Sequence, residues 1–215
     1  MKTFSGKRKI SGLTLLEVLA VLATLFLLAA ILMPVSNRRV KAILPQCLSR
    51  LKQIDLGLRM YMDDNHGKSP PQFSTTNGFT LEMNRGKVFP HIQKLSPYLN
   101  RNPGLLICPA DVEKHAATNF ETLNDSNISY FFNLDVSTNQ PTLTMVAGDR
   151  NLEAMNQPVR PGLFELTTNV FMRWTEGLHN RRGCLVFADG HATVNINLNA
   201  VVRDQPLATN RLCVP

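Results

Sequence analysis

The sequence predicts an α+β fold in which one long N-terminal helix, its first half transmembrane, packs on a C-terminal antiparallel β-sheet domain. Three observations lead there. Leu13 to Met33 is an apolar run of 21 residues with a single ionisable side chain, Glu17. From Val35 to Met62 the pattern turns amphipathic, with Leu44, Cys47, Leu48, Leu51, Ile54, Leu58 and Tyr61 at helical spacing. Beyond Met62, short apolar runs alternate with turn residues, as antiparallel strands do. The chain therefore reads as a leader (1–12), a membrane span (13–34), an amphipathic continuation of the helix (35–62) and a globular domain (63–215).

The leader sets the expected topology. Lys2, Lys7, Arg8 and Lys9 precede the apolar run, and no acid lies among the first 12 residues. Positive flanks stay on the cytoplasmic side, so the rest of the chain is expected to be exported. The run is too long for the apolar core of a cleaved secretory signal, which is about 7–15 residues. The formal charge of +7 invites a nucleic-acid partner, but the leader holds four of those charges and the remainder is +3. No alternation of basic and aromatic residues marks a nucleic-acid groove, which disfavours that partner.

Glu17 needs an explanation of its own. A carboxylate near the centre of a bilayer costs roughly 2.5–3.5 kcal/mol on insertion scales. No Lys or Arg lies within the run to offset it. Cleavage between Gly12 and Leu13 would create an α-amino group four residues before Glu17. The acid could then neutralise that amine, in its own chain or in a neighbour.

The run Gly12-Leu13-Thr14-Leu15-Leu16-Glu17, after a basic leader and before an apolar helix, resembles the type IV prepilin processing signal. That family usually has Phe after the cleaved Gly; here it is Leu13. Pro34 stands where many pilins carry a helix-kinking proline. His179 is followed by nine residues and then Asp189-Gly190, which is similar to the His-x9-Asp-Gly signature of a large bacterial group of prepilin-like proteins. Cys47 to Ile54, the turn from Asp63 to Pro71, and Cys108-Pro109-Ala110-Asp111 resemble the same group. Arg50 departs from its commoner Asn, and Pro45 stands inside the amphipathic helix as a second kink or a short break.

The resemblance implies a pilin-like fold and a filament subunit: a type II secretion pseudopilin or a type IV pilus-like protein. It implies cleavage by a prepilin peptidase after Gly12 and N-methylation of Leu13, with Glu17 and Pro34 serving assembly. The precursor would wait in the bacterial inner membrane as a single-pass protein in contact with the lipid bilayer, its N-terminus cytoplasmic and its domain periplasmic. An assembly ATPase and a platform protein would add it to other pilin or pseudopilin subunits in a periplasmic or surface filament. A minor pilin that binds DNA or a surface ligand, and a membrane-anchored periplasmic enzyme, are the alternatives.

Chemistry is weakly marked in the rest of the chain. His179 and Asp189 could form a general-base pair, but no Ser or Cys nucleophile stands in a recognisable motif with them. The expected role of His179, Asp189 and Gly190 is structural, tying a loop to a hairpin, and no enzymatic activity is expected. The five histidines show no metal-binding spacing, so neither metal nor cofactor is expected. Asp63, Asp64 and Asn65 resemble the start of a calcium loop but lack its distal Glu, and read as a helix end. Four cysteines without a CxxC pair allow three complete pairings, of which Cys184–Cys213 would tether the chain end.

Local signals complete the domain. Phe89 to Leu99 predicts a short helix, and Leu105 to Asp111 a buried strand closed by a turn. Further strands are expected at Ile128–Phe132, Thr142–Val146, Leu163–Leu166 and Asn169–Trp174, with Trp174 as an anchor. The strongest local signal is a hairpin, Cys184–Ala188 and Ala192–Ile196, around Asp189-Gly190-His191.

Overall fold

The computed structural model describes residues 14–32, 38–70, 86–206 and 209–215. Gly12, Leu13 and Pro34 lie outside the described residues. Two compact units are present, Met1–Lys41 and Ala42–Pro215.

The N-terminal region does not form the single long helix that the sequence suggested. It holds two helices, α1 (Leu15–Leu32) and α2 (Arg38–Asp64). At 18 residues α1 rises about 27 Å, short of the roughly 20 residues that a bilayer span takes. Among the described residues no helix is long and apolar enough to cross a membrane. The transmembrane first half and the single-pass inner-membrane placement are corrected accordingly. What stands is α+β content with an antiparallel sheet.

In the larger unit, α2 runs through Pro45 without ending, and terminates where the Asp63-to-Gly67 signal placed its end. Gly67 N–H donates to the Met62 carbonyl at 2.8 Å. The chain leaves the helix through left-handed residues at His66 and Gly67. Asp64, in the last turn of α2, accepts a hydrogen bond from Tyr98 Oη at 2.8 Å.

Nine strands follow among the described residues: β1 (Tyr130–Asn133), β2 (Met145–Asp149), β3 (Leu152–Ala154), β4 (Gln157–Pro158), β5 (Gly162–Thr167), β6 (Met172–Trp174), β7 (Gly183–Phe187), β8 (Ala192–Asn195) and β9 (Thr209–Val214). Six of them form an antiparallel sheet in the order β5-β9-β1-β2-β7-β8, and the other three a smaller sheet, β4-β3-β6. The C-terminal strand thus lies inside the sheet, between β5 and β1. The predicted hairpin forms as β7 and β8, with Val186 opposite Ala192. Gly190 at its turn has φ +86°, a conformation that favours glycine. The expected strand at Leu105–Asp111 is absent. Asn102 caps a 3₁₀ turn at Pro103–Leu106 by accepting from Gly104 N–H, and the apolar run serves that turn instead.

The large sheet is apolar on both faces. Tyr130, Phe132, Val186, Cys184 and Cys213 join a core cluster with the α2 stripe of Cys47, Leu51, Ile54 and Leu58. Their strand neighbours Phe131, Leu185, Phe187, Leu212 and Val214 join a second cluster with Trp174, Met172 and the short helix α4 (Leu198–Arg203); here α3 is the short helix Phe89–Gln93. A register shift between Met145 and Ala147 lets Val146 and Ala147 share the first cluster. Polar contacts are few inside the sheet. Asn133 Nδ2 donates to the Met145 carbonyl at 2.8 Å and to Asn210 Oδ1 at 3.0 Å, linking β1 to both of its neighbours.

One side chain ties α2 to the β7–β8 turn. Arg59 donates to the carbonyls of Phe187 (3.1 Å) and Ala188 (2.9 Å) and pairs with Asp55 at 2.8 Å. Asp55 is 5% exposed, and burial pushes its carboxyl above the usual range against the pull of Arg59. Removing Arg59 leaves two carbonyls and a buried acid without their donor. Arg59→Ala is expected to lower stability by about 2–3 kcal/mol. Urea unfolding should also show that Asp55→Ala/Arg59→Ala costs less than the sum of the single substitutions.

Candidate functional site

Two places carry the predicted site residues. The first is the start of α1. Thr14 N–H donates to Glu17 Oε2 at 2.8 Å, Thr14 Oγ1 donates to the same oxygen at 3.0 Å, and Glu17 N–H donates back to Thr14 Oγ1 at 3.4 Å. This is a capping box, in which a Thr and the Glu three residues later satisfy each other's free amides. Glu17 therefore has a local reason to be acidic, beside the helix N-terminus where negative charge is favoured. The Thr-x-x-Glu spacing before an apolar run was present in the sequence as a cap signal. The described part of α1 beyond it, from Val18 to Ala29, has no charged side chain and is exposed all round.

The second place is a buried centre around His179. The side chain sits in the loop between β6 and β7. Asn151 Nδ2 closes that loop by donating to the carbonyls of Thr175 and Arg182, both at 3.1 Å. Asn180 and Arg181 follow in left-handed conformation and turn the chain back into β7. His179 is 3% exposed. Its Nε2 lies 3.4 Å from Asp149 Oδ2 and 3.1 Å from Cys108 Sγ.

Cys108 is bonded to Cys47, with the Cα atoms 5.3 Å apart. Cys184 and Cys213 are free and buried, so the tether between them is not made. The bond joins α2 to the loop that carries Cys108-Pro109-Ala110-Asp111. Arg50 of α2 donates to the Ile107 carbonyl beside it. Arg150 grips Asp111 from the other side, Nε to Oδ2 at 2.7 Å and Nη2 to Oδ1 at 2.9 Å. Burial opposes ionisation of Asp111, but the hydrogen bonds from Arg150 prevail and hold its carboxyl below the usual range. The departure at Arg50 thus has a structural use.

Asp149 ends β2 and is fully buried. Its Oδ2 accepts from Cys184 N–H at 2.6 Å, whereas Oδ1 has no hydrogen-bond partner. Burial pushes its carboxyl up to about 7, partly offset by the Cys184 amide. Burial lowers the imidazole of His179 and raises the Cys184 thiol, the second shift strengthened by Asp149. Tyr130 Oη, also buried and without a hydrogen-bond partner, is raised by burial first and then by Asp149.

The His179–Asp189 pair expected from the sequence is not brought together. Asp189 is exposed at the hairpin turn and accepts from His191 N–H at 2.8 Å, and Gly190 beside it faces Arg59 of α2. His179 meets Asp149 instead. Asp149 carries no local signal, because its pairing with His179 depends on β2 lying next to β7.

The bridge closes a loop with a sequence separation of 61, which stabilises by about 4 kcal/mol on the chain-entropy account. Alkylation of the unfolded, unreduced protein is expected to label Cys184 and Cys213 and leave Cys47 and Cys108 unlabelled, read by peptide mass. Cys47→Ala/Cys108→Ala should lose about 2–5 kcal/mol in denaturant unfolding. Comparison with known proteins finds no matching family, curated protein or solved structure, so nothing in it supports the pseudopilin or secretion-system assignment.

Proposed function

We propose that this chain is a filament subunit, assembled through α1 after a prepilin-type peptidase removes residues 1–12 and methylates Leu13. The observation that supports this reading is the character of α1. From Val18 to Ala29 its described side chains are uncharged and exposed on every face. A helix that is apolar all round needs cover on all sides, which one partner surface cannot give. Copies of the same helix, each surrounded by others in a bundle, supply that cover. On α2, Leu56 and Met60, exposed one helical turn apart, are available to neighbouring subunits.

In this reading Glu17 has two tasks. It caps its own helix, and its charge meets the new α-amine of an adjoining chain. The partners are the peptidase, other subunits of the same kind, and an ATPase and platform protein that drive assembly. The two alternatives have weaker support. A charge of +3 beyond the leader is a small basis for DNA capture. His179 is buried and apart from Asp189, which leaves the proposed general-base pair without its partner.

Intact-mass analysis of the protein from cells containing the peptidase tests the reading in one step. The expected mass lacks residues 1–12 and carries one added methyl group, whereas Gly12→Ala keeps the leader. Recovery of the wild-type chain at full length would overturn it. Glu17→Gln separates the two tasks, since Gln can complete a capping box but carries no charge. Normal cleavage with at least about tenfold fewer filaments is expected, a loss of about 1.4 kcal/mol or more per docking event.

A further inference from the structure

We propose that, when Cys47 and Cys108 are thiols, the His179 centre binds one divalent transition-metal ion of the zinc type. The ligands are the two sulfurs and His179 Nε2, and Asp149, which groups with His179 and Cys184 rather than with the two sulfurs, must turn toward them to serve as the fourth. The two sulfurs and the imidazole nitrogen already lie within 4.8 Å of one another, all buried. A tetrahedral zinc site, with bonds of about 2.0–2.3 Å, spaces its donors about 3.3–3.8 Å apart. The separation of 3.4 Å between His179 Nε2 and Asp149 Oδ2 falls in that range. Opening the sulfur–sulfur bond and small side-chain rotations bring the sulfurs into it.

A second, independent observation points to a cation. Asp149 is wholly buried and its Oδ1 lacks a hydrogen-bond partner. Arg150, next in the chain, is engaged by Asp111 and Glu113. A buried acid whose oxygen is left over has unmet capacity that a bound ion would fill. His179 is shared with another donor set, Asp149, His179 and Cys184, also within 4.8 Å. That set offers one sulfur, whereas Cys47 and Cys108 offer two, and thiolates are the donors that hold zinc most firmly.

The chemistry balances simply. A phosphine reductant gives two electrons to the sulfur–sulfur bond, and water supplies two protons and the oxygen of the phosphine oxide. Two thiols result, and the incoming ion displaces their protons to solvent.

The test refolds the full-length chain without air, with phosphine and zinc chloride, and measures metal after gel filtration. One zinc per chain is expected in the reduced protein, at least about tenfold more than in the disulfide form. Cobalt in place of zinc should give the intense absorption of sulfur-to-metal charge transfer. Cys184→Ser should keep both signals, and Cys47→Ser/Cys108→Ser and His179→Gln should lose them. A reduced wild-type chain holding no more metal than Cys47→Ser/Cys108→Ser overturns the proposal, whether or not the variants fold. So does loss of cobalt absorption on Cys184→Ser with retention in the double variant, which would assign the ion to the other donor set. Zinc is also expected to raise the melting temperature of the reduced wild-type chain, and an unchanged value at saturating zinc counts against the site.

Discussion

The Cys47–Cys108 bond joins the start of the α2 stripe to a segment that has no strand of its own. Between Gln93 and Tyr130 the described chain is turns and single 3₁₀ turns, with no ladder to hold it. Its position is set by side chains instead. The covalent bond fixes one point, Arg50 holds the neighbouring carbonyl, and Arg150 clamps Asp111 three residues on. With those held, Leu106 and Cys108 can complete the cluster in which α2, the loop and one sheet face are buried together. Loosening the bond would release a segment whose burial depends almost entirely on what it touches.

The same bond decides the surroundings of His179. The imidazole packs against a sulfur on one side and a buried carboxylate on the other, so backbone and covalent geometry, rather than exposed charge, fix where it sits. The sheet contributes Asp149 and Cys184 because β2 and β7 are neighbours, and the loop contributes His179 because Asn151 holds both its ends. Four distant stretches of chain meet at one buried point.

Much of the local structure was legible and little of the tertiary arrangement was. The hairpin β7–β8 was readable because Asp-Gly supplies the positive φ its turn requires. The end of α2 was readable from its Asp, Asn and Gly run. The apolar stretch Leu105–Cys108 misled, since a run that short suits a buried strand or a turn equally, and Asn102 and Pro103 decided for the turn. The apolar run Leu13 to Met33 behind a basic leader pointed to a membrane-spanning first half of one long helix, whereas the described residues hold α1 and α2, neither of them long and apolar enough to cross a membrane. Thr14 and Glu17 were in plain view, yet the acid was read only as a charge seeking a partner and not as a cap. The pairings Cys47–Cys108 and His179–Asp149 span too much chain for any spacing rule to find.

A sheet with oily residues on both sides gives up a common safeguard. Where one face meets water, sliding a strand by one position exposes its apolar set and is penalised at once. Here such a slide would merely exchange Phe131 for Phe132, or Leu185 for Val186, between two equally dry interiors. Alignment must then come from shape and from rare polar marks. Asn133, bonded to strands on both sides of its own, is such a mark, and the Asp149 carboxylate of β2, bonded to the Cys184 amide of β7, is another.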